Sequence, residues 1–299
     1  MSAAQQRNGS AAAHTAGTLH GAVAVVTGSS RGVGKGIAVE LGRRGATVYV
    51  TGRTAAAGSH ALPGTIHQTA EEITAAGGRG IAVACDHSDD QQVADLFAQV
   101  ATEQGHLDLL VNNASIVSPD ALQPPPFWTK SLGAADQITV GLRSAYVATH
   151  LAAPLLLRSE RALVVNISYY GAVSYHLDPA YGATKAGLDK MAWDMAQDFR
   201  EYGVAVVSVW PGPTRTERAE LIKPDLPDGQ DRARTSETPT FTGRVVAALY
   251  EDPDLILRTG EVVIGAEAAL QYGFRDVNGK QPPSRREQLG SPRDYGPRH

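Results

Sequence analysis

Cysteine occurs once in the 299 residues, at Cys85, so neither an intramolecular disulfide nor a thiolate cluster for zinc or iron–sulfur chemistry can form. A lone cysteine of this kind behaves as a small hydrophobe and suits a reducing, cytoplasmic setting. Basic residues are not in excess: 27 Lys and Arg against 31 Asp and Glu give a net charge of −4, which argues against nucleic acid as a partner. No apolar run reaches the roughly 18 residues of a membrane span, and the stretch 151–157 is only of core length. None of the nine His shows metal-ligand spacing, so no metal site is expected. Residues 1–20 lack the apolar core of a secretory signal and the several Arg of a transit peptide, and read as a flexible tail. Residues 281–299, rich in Arg and Pro, offer no core to join, so 271–299 reads as a partly flexible extension of one domain over 21–270.

What is present is an alternation of short Val/Ile-rich runs with longer amphipathic stretches. Strands are expected at 22–27, 47–51, 80–85, 107–111, 162–167, 204–210 and 262–265, and helices at 33–43, 68–76, 90–104, 134–151, 181–202 and 242–250. The runs are apolar at successive positions, so both sheet faces should lie under helices, giving an α/β doubly wound, seven-stranded parallel sheet. Gly42 or Gly45 should end the first helix. The stretches 52–67, 115–130 and 211–239 read as long loops, which usually bind something or are disordered.

The first strand runs into Thr27-Gly28-Ser29-Ser30-Arg31-Gly32-Val33-Gly34 and then a helix. A pyrophosphate held by backbone N–H groups at a helix N-terminus needs side chains cleared away, and glycines between a first strand and first helix do that. An NAD site usually has an acid at the end of the second strand, but that region is Tyr49-Val50-Thr51-Gly52-Arg53. Gly52 leaves room for a 2′-phosphate and Arg53, with Arg31, could pair with it, favouring NADP(H) while leaving NAD(H) possible. Asp86 and His87 follow the third strand, where a carboxylate could take the adenine amino group, and Asn112-Asn113-Ala114 closes the fourth.

Ser168 ends the fifth strand, and thirteen residues later stands Tyr181-Gly182-Ala183-Thr184-Lys185. Residues four apart share a helix face, and an ammonium beside a phenol should lower its pKa toward neutrality, as exchange of a proton with an alcohol/ketone pair requires. Ser168 can donate to the same substrate oxygen.

Thr27-Gly28-x-x-x-Gly32-x-Gly34, Asn112-Asn113-Ala114, Ser168, Tyr181-x-x-x-Lys185 and Pro211-Gly212 together resemble the short-chain dehydrogenase/reductase superfamily over roughly residues 20–270. More narrowly, Phe127-Trp128, Val140-Gly141-Leu142-Arg143, Val209-Trp210-Pro211-Gly212 and residues 272–279 look like its dehydrogenase/reductase member 1-like group, and the 62–66 insertion looks like that of related bacterial members. The resemblance implies a single-domain Rossmann fold, NAD(P)(H) without metal, Tyr181 as acid/base, Lys185 also on the nicotinamide ribose, and Pro211, Gly212 and Thr214 or Thr216 at the carboxamide. It further implies reduction of ketones or aldehydes with NADPH, and a homodimer or homotetramer formed through the helices at 134–151 and 181–202, to which Met191, Trp193 and Met195 could contribute. Two positions depart from it: Gly141 replaces an Asn that commonly helps hold a water linking Lys to solvent, and Ser115 replaces a frequent Gly. Phe127, Trp128, Tyr169, Tyr170, Tyr175 and His176 are the expected pocket walls, although such rings can equally pack a loop. The function expected is an NADPH-dependent carbonyl reductase; the competing one is an NADP(H)-binding regulator with little chemistry, motivated by Gly141 and the Arg-bearing C-terminus.

Overall fold

Each β-branched run becomes a strand because its residues find apolar partners on both faces. In the computed structural model, which describes residues 18–118, 126–221 and 236–296, these are β1 (Val23–Val26), β2 (Thr47–Gly52), β3 (Arg79–Ala84), β4 (Leu109–Asn112), β5 (Ala162–Ile167), β6 (Val204–Trp210) and β7 (Val262–Ile264). All pair in parallel in the order β3-β2-β1-β4-β5-β6-β7, with Val26 between Val50 and Val111. Chain order reverses between β1 and β4, so the crevice for a ligand opens at the carboxyl ends of those two strands.

Alternate strand residues feed two cores, as the two-residue period of a strand requires. Val26, Val50, Val111, Val165 and Val207 pack under α1 (Gly32–Arg43), α2 (Ile66–Ala75) and a helix over Pro239–Glu251. Val25, Leu110, Val164 and Val206 pack under α3 (Asp90–Glu103), α4 (Ser144–Leu156) and α5 (Pro179–Phe199). In chain order, α6 is Glu217–Leu221, α7 Pro239–Glu251, α8 Gly265–Gln271 and α9 Arg286–Leu289. None of α6, α8 and α9 is anticipated by periodicity; at four to seven residues each is too short to show it. α1 ends at Arg43 and the left-handed residue beyond it is Gly45, with φ 97°. α2 begins two residues before the reading, at a capping box in which Thr65 and Gln68 bond reciprocally.

The single helix expected over 134–151 is not formed. A 3₁₀ turn at Leu132–Ala135 leads into a π-helical stretch, Ile138–Arg143, before α4. Gly141 lies in that stretch because a Cβ there would come within 2.8 Å of Thr184 Cγ2 and 3.0 Å of the buried Gln137 amide.

The two tails also differ from expectation at their inner ends. Residues 1–17 lie outside the described residues, but Leu19 is buried and its N–H donates to the Arg44 carbonyl at 2.7 Å. Residues 271–296 dock along the domain. Phe274 packs on Phe241, Asp276 accepts from the Thr238 N–H, the Arg285 N–H donates to the Tyr170 hydroxyl at 3.0 Å, and Tyr295 faces Trp193. Single aromatic anchors separated by polar residues carry no periodicity, which is why this segment offers no core when read as sequence. Among the described residues no helix is long and apolar enough to cross a membrane.

Candidate active site

The loop between β1 and α1 is held from the fourth strand. Thr27 Oγ1 accepts from the N–H groups of Asn113 and Ala114, both at 2.9 Å, and Asn113 Nδ2 donates to the carbonyls of Thr27 and Gly28. Asn113 and Ala114 thus fix the floor of the crevice and line it as well. An open cleft of about 1020 Å³ lies above, bordered by Gly28, Ser30, Val33, Gly52 and His87 among others.

Arg31 borders this cleft, yet its Nε and Nη2 are engaged by the carbonyls of Leu62, Pro63 and Gly64 and by Thr54 Oγ1. The inserted loop and the arginine hold each other. Arg53 is more than half exposed, with Nη1 3.8 Å from Asp86. Partial burial pushes Asp86 up, but bonds from Ser88 and the charge of Arg53 leave it below the usual carboxylate range. His87 is buried, with Nε2 2.7 Å from Thr51 Oγ1, and burial pushes its pKa down to about 4, so it is neutral.

The first turn of α1 already holds an anion. Glu217 of α6 accepts from the Gly32 N–H at 2.9 Å, at a helix N-terminus of the kind that favours an anion. The Gly32 amide is thus open to an acceptor with negative charge, and a cleft of this size with glycines at its floor fits an NAD(P)-type pyrophosphate. Glu217→Gln should therefore tighten NADPH binding by roughly tenfold, because the phosphate no longer displaces a charged competitor. Fluorescence titration of both proteins would check it; equal or weaker binding by the variant would refute the competition.

At the next strand ends, β5 delivers Ser168 and α5 delivers Tyr181 and Lys185. The Asp178 carboxylate caps α5 by accepting from the Tyr181 N–H at 2.9 Å, which sets the helix's start and the phase of its first turn. Lys185 Nζ donates to the Ile167 carbonyl at 2.9 Å and lies 5.4 Å from the centre of the Tyr181 ring. Ser168 Oγ donates to the Lys185 carbonyl at 3.0 Å. The three residues are brought together, but the expected drop in the Tyr181 pKa is absent. Burial and the nearby Tyr169 push the phenol well above its usual range, since the ammonium sits over the ring face and is bonded elsewhere. Burial also lowers Lys185 to about 8.

The aromatic wall divides. Tyr169 and His176 approach Tyr181, with ring centroids 6.5 and 5.5 Å away. Tyr170 instead is buried against Trp210 at 4.9 Å, and its hydroxyl accepts from the C-terminal segment, so it is a packing residue rather than a pocket wall. Phe127 and Trp128 pack edge to face and remain exposed, as does Tyr175. In the loop after β6, Thr214 Oγ1 donates to the Gly212 carbonyl, and Thr216 Oγ1 accepts from the Ala219 N–H and caps α6. Pro211 and Gly212 are both buried there.

A family model for short chain dehydrogenases matches residues 22–227, which span the glycine loop, Ser168, Tyr181 and Lys185. The chain belongs to the short-chain dehydrogenase/reductase family. The chain is 38% identical over 277 residues to human dehydrogenase/reductase SDR family member 1, covering 89% of its own length and 86% of the relative's. It is 30% identical to hydroxysteroid dehydrogenase-like protein 2 of Danio rerio, covering 88% of itself and 61% of that protein. Among solved structures it resembles a putative dehydrogenase from Xanthomonas campestris, with TM-score 0.75, 28% identity and coverage of 88% and 93% of the two chains. It also resembles a metagenomic short-chain oxidoreductase solved in complex with NADP, with TM-score 0.65, 31% identity and coverage of 82% and 97%. The protein is thus an NAD(P)-binding oxidoreductase of Rossmann fold.

One carboxyl beside this site carries no sequence signal. Glu237 is 1% exposed and packs against Gly212, and neither of its oxygens has a hydrogen-bond partner. Burial pushes its pKa up to about 8, only partly offset by the facing Gly212 N–H. A folded pKa above the unfolded value makes the native state hold the extra proton, so stability falls as pH rises from about 4.5 to about 8. Each unit in that window costs about 1.4 kcal/mol. Glu237→Gln should flatten this decline in urea melts at pH 5 and 8; an unchanged slope would mean the carboxyl ionises freely.

Proposed function

We propose that the protein is an NADP(H)-dependent carbonyl reductase, reversible toward alcohol oxidation, acting on a ketone or aldehyde. The observation that carries this reading is the convergence of Ser168 at the carboxyl end of β5 with Tyr181 and Lys185 of α5. A phenol can donate to a carbonyl oxygen as negative charge develops there, provided a nearby cation stabilises the phenolate it leaves. When bound, the nicotinamide cofactor supplies the hydride. Ser168 turns its hydroxyl from the Lys185 carbonyl to the substrate oxygen, Tyr181 Oη donates the proton, and Lys185 offers its remaining N–H groups to the cofactor ribose and stabilises the phenolate left behind. Pro211, Gly212, Thr214 and Thr216 would hold the carboxamide end, and Gly28, Ser30, Gly32, Val33, Asn113 and Ala114 the pyrophosphate side, with Gly34 giving Asn113 the room to approach.

For NADP(H), support comes from Gly52 and Arg53 where an acid would select NAD, and from the NADP complex of a relative. Arg53 is assigned the 2′-phosphate; Arg31 contributes positive field while its bonds hold the 62–64 loop. Asp86 and His87 flank the adenine side, His87 as a neutral group. Tyr169 and His176 line the carbonyl pocket. Membership of an oxidoreductase family does not favour the regulator reading. The dimer contact expected on α5 is partly covered by the chain itself, since Tyr295 faces Trp193.

Separate titrations with NADPH and NADH, followed by absorbance at 340 nm with quinones, diketones, aromatic aldehydes and ketosteroids, test the proposal. Tight NADPH binding with consumption on any compound supports it. Preference for NADH removes the role given to Arg53, and binding without consumption across the panel counts against the reductase.

A further inference from the structure

One helical turn beyond Lys185, on the same face of α5, lies a buried carboxylate that the mechanism above leaves unused. Asp189 is 2% exposed. Its Oδ1 accepts from Ser208 Oγ at 2.5 Å and from Trp210 Nε1 at 3.1 Å, and Oδ2 lies 3.0 Å from the same indole nitrogen. Both donors belong to β6, two residues apart and on one strand face. Ser168, at the end of β5, also faces this carboxylate. The group is therefore aimed inward between two central strands, behind the three residues that converge on the carbonyl site.

We propose that Asp189 is a positioning residue that acts through Lys185: its fixed negative charge keeps the buried ammonium protonated, and its bonds to Ser208 and Trp210 fix that charge one turn below the lysine. The assignment rests on the catalytic reading of Lys185 given above. Lys185 needs such a partner. Its Nζ donates to the neutral Ile167 carbonyl, and desolvation drives an ammonium toward its neutral form. Among the described residues the titratable groups facing the pair are Tyr181 on α5, Tyr169 beyond β5 against the Tyr181 ring, and Tyr295 from the C-terminal segment, whose phenol is raised by burial and by the Asp189 charge. Burial lifts Asp189 to about 6, and the bonds from Ser208 and Trp210 favour its ionised form. A carboxylate serving only to anchor Trp210 would need the hydrogen bonds and not the charge.

The test separates charge from anchoring. The full-length protein labelled with ¹³C at lysine Cε is titrated by NMR, with the Lys185 resonance assigned through Lys185→Arg. Asp189→Asn keeps an oxygen to accept from Ser208 and Trp210 but removes the charge, and should move the Lys185 midpoint down by about one to three pH units. Ser208→Ala removes one bond and keeps the charge, and should leave that midpoint within a fraction of a unit. Wild-type protein provides a reading that needs no variant: the Lys185 resonance should show a second inflection near pH 6, as Asp189 gains its proton. An unmoved midpoint in Asp189→Asn, or no inflection in the wild type, overturns the proposal. Where a carbonyl substrate turns over, the alkaline limb of kcat/KM should shift with the NMR midpoint. A shifted midpoint in a protein that reduces no carbonyl would instead uphold the charge coupling and reject the reductase.

Discussion

Replacing Tyr181 with Phe should lower turnover of a reducible carbonyl by about 10²–10⁴-fold while NADPH titrates with nearly its original affinity. The substitution deletes one oxygen and leaves the ring, so the packing with Tyr169 and His176 and the approach of Lys185 to the ring face persist. What is lost is the proton donor. The neighbouring His176 is an exposed residue whose ring stands 5.5 Å from that of Tyr181, so no second buried donor is placed beside the phenol by these contacts. Stopped-flow reduction with the best substrate found, beside a fluorescence titration of NADPH, gives both numbers. Undiminished turnover would move the acid to another residue; a matched loss of cofactor affinity would mean that Tyr181 binds rather than reacts.

Gly34→Ala should destabilise the protein by roughly 1–3 kcal/mol and weaken NADPH binding more than any surface substitution. A Cβ at this position would stand 2.3 Å from Asn113 Nδ2, 2.7 Å from the Gly28 carbonyl and 3.0 Å from Ser29 Cα. Two of those three atoms are backbone, and the third donates to the Thr27 and Gly28 carbonyls, so none can yield without opening the loop. The added methyl therefore acts through the floor of the crevice, pushing the fourth strand's end away from the first. A lowered urea midpoint together with weakened NADPH binding is the expected pair of results. A wild-type midpoint would show that the loop relaxes around the methyl at no cost.

Gly34 also marks how far the sequence can be read. Glycines at 28, 32 and 34 between a strand and a helix announce a phosphate site, because that pattern is local and its physical demand, N–H groups unobstructed by side chains, is met within eight residues. Which glycine clears space for the ligand and which for the protein is not local. The space beside Gly34 is filled by Asn113, about eighty residues away, so this glycine serves the packing of the first and fourth strand ends. Arg31 shows the same limit. It reads as a phosphate ligand by its place in the loop, but the 62–64 carbonyls engage it once the insertion folds back.

The strands, their burial on both faces and the candidate set Ser168, Tyr181 and Lys185 were legible in the sequence alone, because continuous Val/Ile runs and a four-residue Tyr–Lys spacing are short-range patterns. Only the tertiary structure decided the fate of the isolated charges. Asp189 and Glu237 look like ordinary polar positions in their own segments and become buried carboxylates because β6 and its following loop close over them. Glu217 lies on the glycine loop although 185 positions separate it from Gly32. Tyr170 turned from pocket to core for the same reason, since the segment that binds its hydroxyl lies 115 positions downstream. Burial of one side chain is a property of every element packed around it, and no window of neighbouring residues contains that information.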